Sequence, residues 1–301
     1  MLETRLDYLL NLENVTDVVI NGPHEVFVDR GNGLEQVTLP DGFLSSSDDV
    51  RFLAMQLARN AGVRLDEASP IVDARLLSGV RLHAVLSPIA HVENGALISL
   101  RIPNKKVLSL EDLEDLGMFN STMRAELDEL IEDGANIIIS GATGTGKTTL
   151  LSALIGAISS DQRIVCVEEA REISSNLHEH MVFLTARGPN IEGEGEVKMS
   201  QLLKATLRMR PDRIILGECR GEEVREYIMS LNTGHAGSLI TLHANSAADV
   251  LNRLIQLGAY ANLNSKLIKA QFKRGVHAVV HIKWINGRRV VDEIRRNSSA
   301  K

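Results

Sequence analysis

Apolar positions in the first hundred residues follow helical spacing in two segments and strand-like spacing elsewhere. A short helix is predicted by apolar residues that share one face, Leu6, Leu9, Leu10 and Leu12. A longer helix is predicted over about residues 48 to 61, with Ser47 as its N-cap and Gly62 at its end. The predicted strands are residues 17–20, 26–28, 74–77, 80–86 and 96–102. Together these elements predict a small α+β domain with an antiparallel sheet.

Beyond residue 119, helices alternate with short strands that are almost wholly apolar. These strands are predicted at residues 137–139, 164–167, 181–184, 214–216 and 239–242. Because strands that are buried on both faces and separated by helices form parallel sheets, this half of the chain is predicted to be an α/β domain. A closing hairpin is predicted from residues 276–285 and 288–294, around a type I′ turn at Asn286 and Gly287.

The change of pattern divides the chain. We predict an N-terminal α+β domain over residues 1–103, a linker over residues 104–118 with a helix near residues 110 to 116, and a largely parallel α/β domain over residues 119–301. A second helix with a defined start is predicted over residues 247–257, where Asn245 and Ser246 supply an N-cap signal.

The composition of the chain argues against several classes of function. The net charge of −6, and an aromatic set of six Phe, three Tyr and one Trp, disfavour bulk nucleic-acid binding. The two cysteines, Cys166 and Cys219, provide neither a disulfide framework nor a four-thiolate zinc site, which suits a reducing cytoplasm. The chain opens without a signal-peptide pattern and has no apolar run of membrane-spanning length, so we expect membrane association only through a partner or the surface.

One motif points directly to nucleotide chemistry. Residues 141–148 fit the pattern G-x-x-x-x-G-K-S/T, between a predicted strand and a predicted helix. In such a P-loop, backbone N–H groups cradle phosphates, Lys147 reaches the β- and γ-phosphates, and Thr148 offers its hydroxyl to Mg²⁺. The alternative is a glycine-rich turn without a ligand. The predicted nucleotide-binding residues are Gly141, Ala142, Thr143, Gly144, Thr145, Gly146, Lys147, Thr148 and Thr149, where Thr149 faces either the α-phosphate or the helix interior.

Acidic residues follow two of the apolar strands. Glu218 ends one strand, and Glu168 and Glu169 end another. The carboxyl edge of a parallel sheet is where an acid can lie beside Mg²⁺ and the γ-phosphate, so these residues are candidates for hydrolysis. The alternative is that they are solvated strand ends.

With these motifs in order, the chain resembles the hexameric secretion ATPases that drive type II secretion, type IV pili and type IV secretion. Beyond the P-loop (Walker A), residues 167–173 are similar to that family's acidic box, residues 214–221 to its Walker B motif, and residues 237–245 to its histidine box. Shorter segments look most like the tight-adherence (Flp) pilus branch: residues 21–23, 72–75, 189–196, 207–213 and 232–235. Two positions depart from the pattern, since Glu169 replaces an aspartate and Thr185 stands where that branch commonly has an acid.

The resemblance implies a RecA-like P-loop fold and a role for each candidate. Glu168 would orient the attacking water with support from Glu169, and Glu218 would hold Mg²⁺ directly or through water. His243 would sense the γ-phosphate or couple it to domain movement, with His235 a weaker candidate. Arginines would complete a neighbouring subunit's site or contact that subunit, although each also fits an exposed strand residue: Arg101, then Arg81, with Arg75 beside them, and Arg208 and Arg210. Arg213 could simply anchor its strand.

The resemblance also implies the protein's activity and partners. It suggests an ATP-hydrolysing, Mg²⁺-dependent homo-hexamer whose N-terminal domains move against the C-terminal domains to power pilus assembly or protein secretion. Such a motor would act on an inner-membrane platform protein at the cytoplasmic face of the membrane. The competing interpretations are a DNA-associated, conjugation-type translocation ATPase and a nucleotide-dependent switch without turnover.

Overall fold

The computed structural model describes residue 8 and residues 15–30, 33–40, 42–76, 79–102, 107–188, 194–231 and 236–297. The chain forms two compact units, Met1–Lys105 and Lys106–Lys301. The helix predicted from Leu6, Leu9, Leu10 and Leu12 falls outside these described ranges. None of the helices in the described ranges is long and apolar enough to cross a membrane.

The first unit is built on a six-stranded antiparallel sheet, as the sequence predicted, with the strand order β3-β2-β1-β6-β5-β4. Alternate residues of its central strands are buried, and one 14-residue helix packs its apolar side against the sheet through Leu53, Leu57 and their neighbours. Its elements are β1 (Asp17–Gly22), β2 (Glu25–Asp29), β3 (Leu34–Gln36), α1 (Ser47–Asn60), β4 (Ile71–Arg75), β5 (Arg81–Leu86), a 3₁₀ turn (Val92–Asn94) and β6 (Ala96–Arg101).

Two boundaries in this unit differ from the sequence prediction. The N-cap of α1 is Ser46 rather than Ser47, because the Ser46 hydroxyl accepts from the Asp49 N–H while the Asp49 carboxylate accepts from the Ser46 N–H. The strand predicted at residues 74–77 lies at residues 71–75. Just beyond its end, the Leu76 N–H donates to the Val80 carbonyl.

The second unit contains a seven-stranded sheet with the order β13-β12-β7-β11-β10-β8-β9, parallel throughout except for the final β12–β13 hairpin. The strands are β7 (Ile137–Gly141), β8 (Ile164–Glu168), β9 (Met181–Thr185), β10 (Arg213–Cys219), β11 (Leu239–Leu242), β12 (Ala278–Ile285) and β13 (Arg288–Arg296). The helices are α2 (Leu110–Asp115), α3 (Ser121–Glu132), α4 (Lys147–Gly156), α5 (Met199–Thr206), α6 (Val224–Ser230), α7 (Val250–Tyr260) and α8 (Ser265–Gly275), with a 3₁₀ turn at Ser175–Leu177.

The interior strand β7 is buried at every position because helices cover both faces of the sheet. Ile137 and Ile139 pack in one apolar cluster, with Leu150 of α4, whereas Ile138 packs in the opposite one, with Val250 of α7. This arrangement confirms the predicted α/β class. It also brings the carboxyl ends of β7, β8, β10 and β11 to one edge of the sheet.

Other details of this unit refine the sequence prediction. Leu110, Leu113 and Met118 are buried in its core, so much of the predicted linker packs with the α/β unit. The helix predicted at residues 247–257 begins at Val250, because Ser246 instead forms the preceding turn, in which its hydroxyl accepts from the Asp249 N–H. The predicted hairpin turn is confirmed, since both of its central residues have the positive φ that a type I′ turn requires.

Candidate nucleotide-binding site

The P-loop connects β7 to α4 through a turn that needs glycine. Gly141, Gly144 and Gly146 have φ values of 157°, 76° and 97°. A Cβ atom on Gly141 would lie 2.5 Å from the Ile282 carbonyl oxygen, so only glycine fits there. The Thr145 hydroxyl donates to the Ala142 carbonyl at 2.9 Å and closes the turn. The resulting loop leads into a helix N-terminus, which is a site for anions.

The nine predicted nucleotide-binding residues differ in how far they face solvent. The outer turn is exposed, at Ala142, Thr143 and Gly144. The base of the loop is buried, at Gly141, Thr145 and Lys147, while Gly146, Thr148 and Thr149 are half-buried. The outer turn is therefore accessible to a ligand, and the buried residues hold its shape.

Lys147 lies over its own loop. Its Nζ donates to the carbonyl oxygens of Gly141 at 3.1 Å and Ala142 at 2.8 Å. Nζ is also 3.4 Å from Nδ1 of His243, which follows β11. Burial lowers the pKa of the Lys147 ammonium group, and the nearby Glu218 carboxylate opposes that shift.

His243 connects the lysine to the acid at the end of β10. Its Nε2 lies 2.7 Å from Oε1 of Glu218. Burial lowers the pKa of His243, and the positive charge of Lys147 lowers it further, against the pull of Glu218. A neutral imidazole suits this position, because its Nδ1 can accept from Lys147 while Nε2 lies beside the Glu218 carboxylate.

Arg220 is a member of this group that sequence reasoning missed. Its Nη2 lies 2.6 Å from Oε2 of Glu218, and its Nη1 lies 3.4 Å from Oε2 of Glu169. The hydrogen bond to Glu218 raises the pKa of the Arg220 guanidinium. One guanidinium therefore joins the acidic ends of two neighbouring strands. The available signal was its position two residues after Glu218, inside the same motif.

Glu168 occupies a different position from Glu169, whose side chain is exposed. The Glu168 side chain is only 3 % exposed, and its Oε1 accepts from the backbone N–H groups of Glu172 at 2.9 Å and Ile173 at 3.1 Å. A Cβ atom on Gly217 would lie 2.9 Å from its Cγ, so Glu168 packs across the residue that precedes Glu218. The structure thus places Glu168 beside the candidate site and ties its carboxylate to the following loop. Its role toward water stays a prediction.

Three candidate arginines lie in one row of the N-terminal sheet. Arg75 pairs with Arg81, Arg81 pairs with Arg101, and Arg101 pairs with Asp17 on successive strands. Directly opposed residues of antiparallel strands point to the same face, so the three arginines share a face. Arg81 and Arg101 are exposed, and Nε of Arg81 lies 3.3 Å from Oδ1 of Asp73. Their contact with another subunit's nucleotide stays a prediction.

Arg208 and Arg210 lie away from the site of their own chain. Both are exposed and precede the amino end of β10, whereas the P-loop follows the carboxyl end of β7. Because the strands from β7 to β10 run parallel, these arginines are at the opposite edge of the sheet, a strand length of about 20 Å away. Arg213, by contrast, is buried and anchors its strand, with Nη2 donating to the Ile131 carbonyl. His235 lies outside the described residues.

Comparisons with known proteins match most of this chain. The type II/IV secretion system protein family matches residues 5–286. A putative conjugal transfer protein of Mycobacterium tuberculosis is 41% identical over 283 residues, covering 92% of this chain and 79% of the relative. The VirB11 ATPase of the Brucella suis type IV secretion system, solved with sulphate, is 26% identical at a TM-score of 0.53, covering 98% and 94%. The Legionella pneumophila ATPase DotB shares the fold, at 21% identity and a TM-score of 0.67, covering 96% and 78%.

A RecA-like sheet with a P-loop at its carboxyl edge and acids on the neighbouring strand ends defines a nucleotide-binding ATPase. The chain belongs to the type II/IV secretion system protein family, and it is an ATPase of the secretion class.

Proposed function

We propose that the chain is a ring-forming ATPase that hydrolyses ATP to power pilus assembly or protein secretion. The observation that carries this proposal is the connected group of Lys147, His243, Glu218 and Arg220, which joins the P-loop to the acidic strand ends. The acidic ends of two strands weigh against a switch that binds ATP without hydrolysing it. The tight-adherence pilus branch remains part of the proposal, supported by the sequence motifs.

The donor atoms near the P-loop fit Mg²⁺. The Thr148 hydroxyl and the Glu218 carboxylate are oxygen donors, which this ion prefers. Among the described residues no cluster of three His, Cys, Asp or Glu side chains could hold a metal, which suits an ion bound mainly by phosphate and water. Thr148 and Glu218 would hold the ion, and its charge would stabilise the negative charge that develops on the phosphate oxygens.

Hydrolysis then follows from the positions of the chain's own groups. Backbone N–H groups of the P-loop bind the phosphates, and Lys147 exchanges the Gly141 and Ala142 carbonyls for β- and γ-phosphate oxygens. A water molecule positioned by Glu168 attacks the γ-phosphorus, and the bond to the β,γ-bridging oxygen breaks to give ADP and phosphate. His243 contacts both Lys147 and Glu218, so a change at the γ-phosphate reaches β11 through it.

The assembly that we propose is a homo-hexamer at the cytoplasmic face of the membrane. Arg101 and Arg81 would complete the site of an adjacent subunit, because a guanidinium fork pairs with phosphate oxygens whose charge grows during transfer. The arginine row on one face of the N-terminal sheet supports this role. The N-terminal units would move as ATP binds and leaves, against an inner-membrane platform protein.

A second candidate is a DNA-associated, conjugation-type ATPase. It is favoured by the similarity to the 41% identical relative, a putative conjugal transfer protein of Mycobacterium tuberculosis. The net charge of −6 weighs against bulk DNA binding. DNA-stimulated ATPase activity would favour this candidate, and activity that is indifferent to DNA would favour the first.

The decisive experiment removes the P-loop lysine. We expect Lys147→Ala to lose ATP binding and turnover while it remains folded by circular dichroism, because Nζ contacts only loop carbonyls and His243 among the described residues. Lys266→Ala, an exposed lysine on α8, is the matched control and should retain both. Full ATPase activity in Lys147→Ala would refute the proposed site.

A further inference from the structure

The β12–β13 hairpin extends past the P-loop at the ligand edge of the sheet. β12 runs parallel to β7, and Ile282 pairs with Gly141, the first P-loop residue. The strand continues through Ile285 and returns through Arg288, so its tip stands beyond the point where β7 ends. A Cβ atom on Gly146 would lie 3.3 Å from Cδ of Arg289, which places that arginine's stem against the loop.

The Arg289 side chain is held in place by the aromatic ring of Trp284. It is the cross-strand partner of Trp284, and its Cζ lies 5.1 Å from the centroid of the Trp284 ring. Both side chains are exposed, Trp284 to 52 %. The cation–π contact and the strand pairing fix the guanidinium without consuming its hydrogen-bond donors.

No described residue forms an ion pair with Arg289. Three other cations of this hairpin are paired, Lys283 with Asp292, Arg295 with Glu293, and Arg296 with Glu126 and Glu129, whereas Arg288 has no ion pair among the described residues. Within the part of the chain that the structure describes, the Arg289 guanidinium forms neither an ion pair nor a hydrogen bond. An oriented, unpaired guanidinium beside a phosphate cradle is suited to a phosphate oxygen.

We propose that Arg289 is a nucleotide-binding residue, whose guanidinium pairs with the α- or β-phosphate of the nucleotide in the P-loop. The backbone at Gly146 belongs to the part of a P-loop that cradles these two phosphates, and Arg289 lies against it. The inference rests on the proposed placement of the nucleotide. Because ADP and ATP share both phosphates, Arg289 strengthens the binding of both alike, unlike Lys147, which also reaches the γ-phosphate.

The test compares two neighbouring arginines. Arg289→Gln should weaken the binding of ADP and of ATP by about tenfold each, measured by calorimetry, the size of a charge-assisted contact. Arg288→Gln removes the same charge from the adjacent exposed position and should change both affinities less than about twofold, since alternate strand residues face opposite sides. Arg289→Lys should recover part of the loss, because it retains the charge without the fork.

The single tryptophan supplies a readout independent of turnover. Adding ADP should change the emission of Trp284 in the wild-type protein, because the guanidinium over its ring acquires a phosphate partner. The change should be absent in Arg289→Gln at saturating ADP.

Three results would overturn the inference: wild-type affinities in Arg289→Gln, equal losses in Arg288→Gln and Arg289→Gln, or a loss for ATP alone. If the wild-type protein binds neither nucleotide, the proposed function fails as well. If nucleotide binding depends on Lys147 but not on Arg289, only the present inference fails.

Discussion

Arg220→Gln should change the free energy of unfolding only slightly and lower kcat much more. The Arg220 and Glu169 side chains are 62 % and 68 % exposed, so their ion pair contributes at most about 1 kcal/mol to the free energy of unfolding. The contact with Glu218, which is 23 % exposed, is the stronger one. We expect the loss of both contacts to lower the free energy of unfolding by about 2 kcal/mol or less.

Turnover should respond far more strongly. Without the guanidinium, Glu218 is oriented by His243 alone among the contacts described above, and a misplaced metal-binding carboxylate costs about tenfold or more in kcat. Arg220→Lys should be intermediate, because one ammonium cannot bridge two acids as a fork does.

The assay combines urea unfolding with steady-state ATP hydrolysis at saturating ATP. Arg225→Gln is the matched control, since Arg225 is an exposed arginine on α6 that donates to the Ala261 carbonyl. It should show wild-type kcat. Wild-type kcat in Arg220→Gln, or equal losses in both variants, would refute a positioning role for Arg220.

Three further predictions follow from the same site. Glu218→Gln and Glu168→Gln should bind ATP but have a kcat about a hundredfold lower, as measured by quenched-flow hydrolysis. Normal turnover in either variant would remove that residue from the mechanism. Arg101→Ala and Lys147→Ala should each be inactive alone, but rings reassembled from a mixture of the two variants should regain ATPase activity. Verified mixed rings that show no recovery would rule out the intersubunit role of Arg101. Burial lowers the pKa of His243 below its ordinary value of 6.5, so the folded protein binds this proton less readily than the unfolded chain does. The stability contribution of His243 is therefore fully present above pH 6.5 and falls as the pH is lowered below that value. Unfolding measured against pH should show a smaller fall in His243→Gln.

The P-loop and the acidic strand ends could be found from the sequence because their signals are local. Glycine spacing, Lys147 and the adjoining apolar strand lie within a dozen residues, and parallel strands bring Glu168 and Glu218 to one edge by a general rule. All seven described strands of the second unit followed from apolar runs in the same way.

The positions of several arginines could not be predicted from the sequence, because they depend on contacts across the sheet. Arg220 joins two acids 51 and two residues away, and Arg289 reaches a loop more than 140 residues earlier. Arg208 and Arg210 were placed before the Walker B strand from the sequence, but only the parallel pairing of the strands shows that they lie at the edge opposite the P-loop.

The two-sided burial of β7 has a consequence for how the phosphate loop is held. Ile138 faces one apolar cluster while Ile137 and Ile139 face the other, so sliding the strand by one residue would exchange every side chain between two differently shaped cores. The position of the P-loop is therefore fixed by the packing of β7 on both of its faces rather than by the exposed residues of the loop itself. An inserted residue inside β7 should be far more damaging to nucleotide binding than a substitution at exposed Ala142 or Thr143, although both changes lie within a few residues of Lys147.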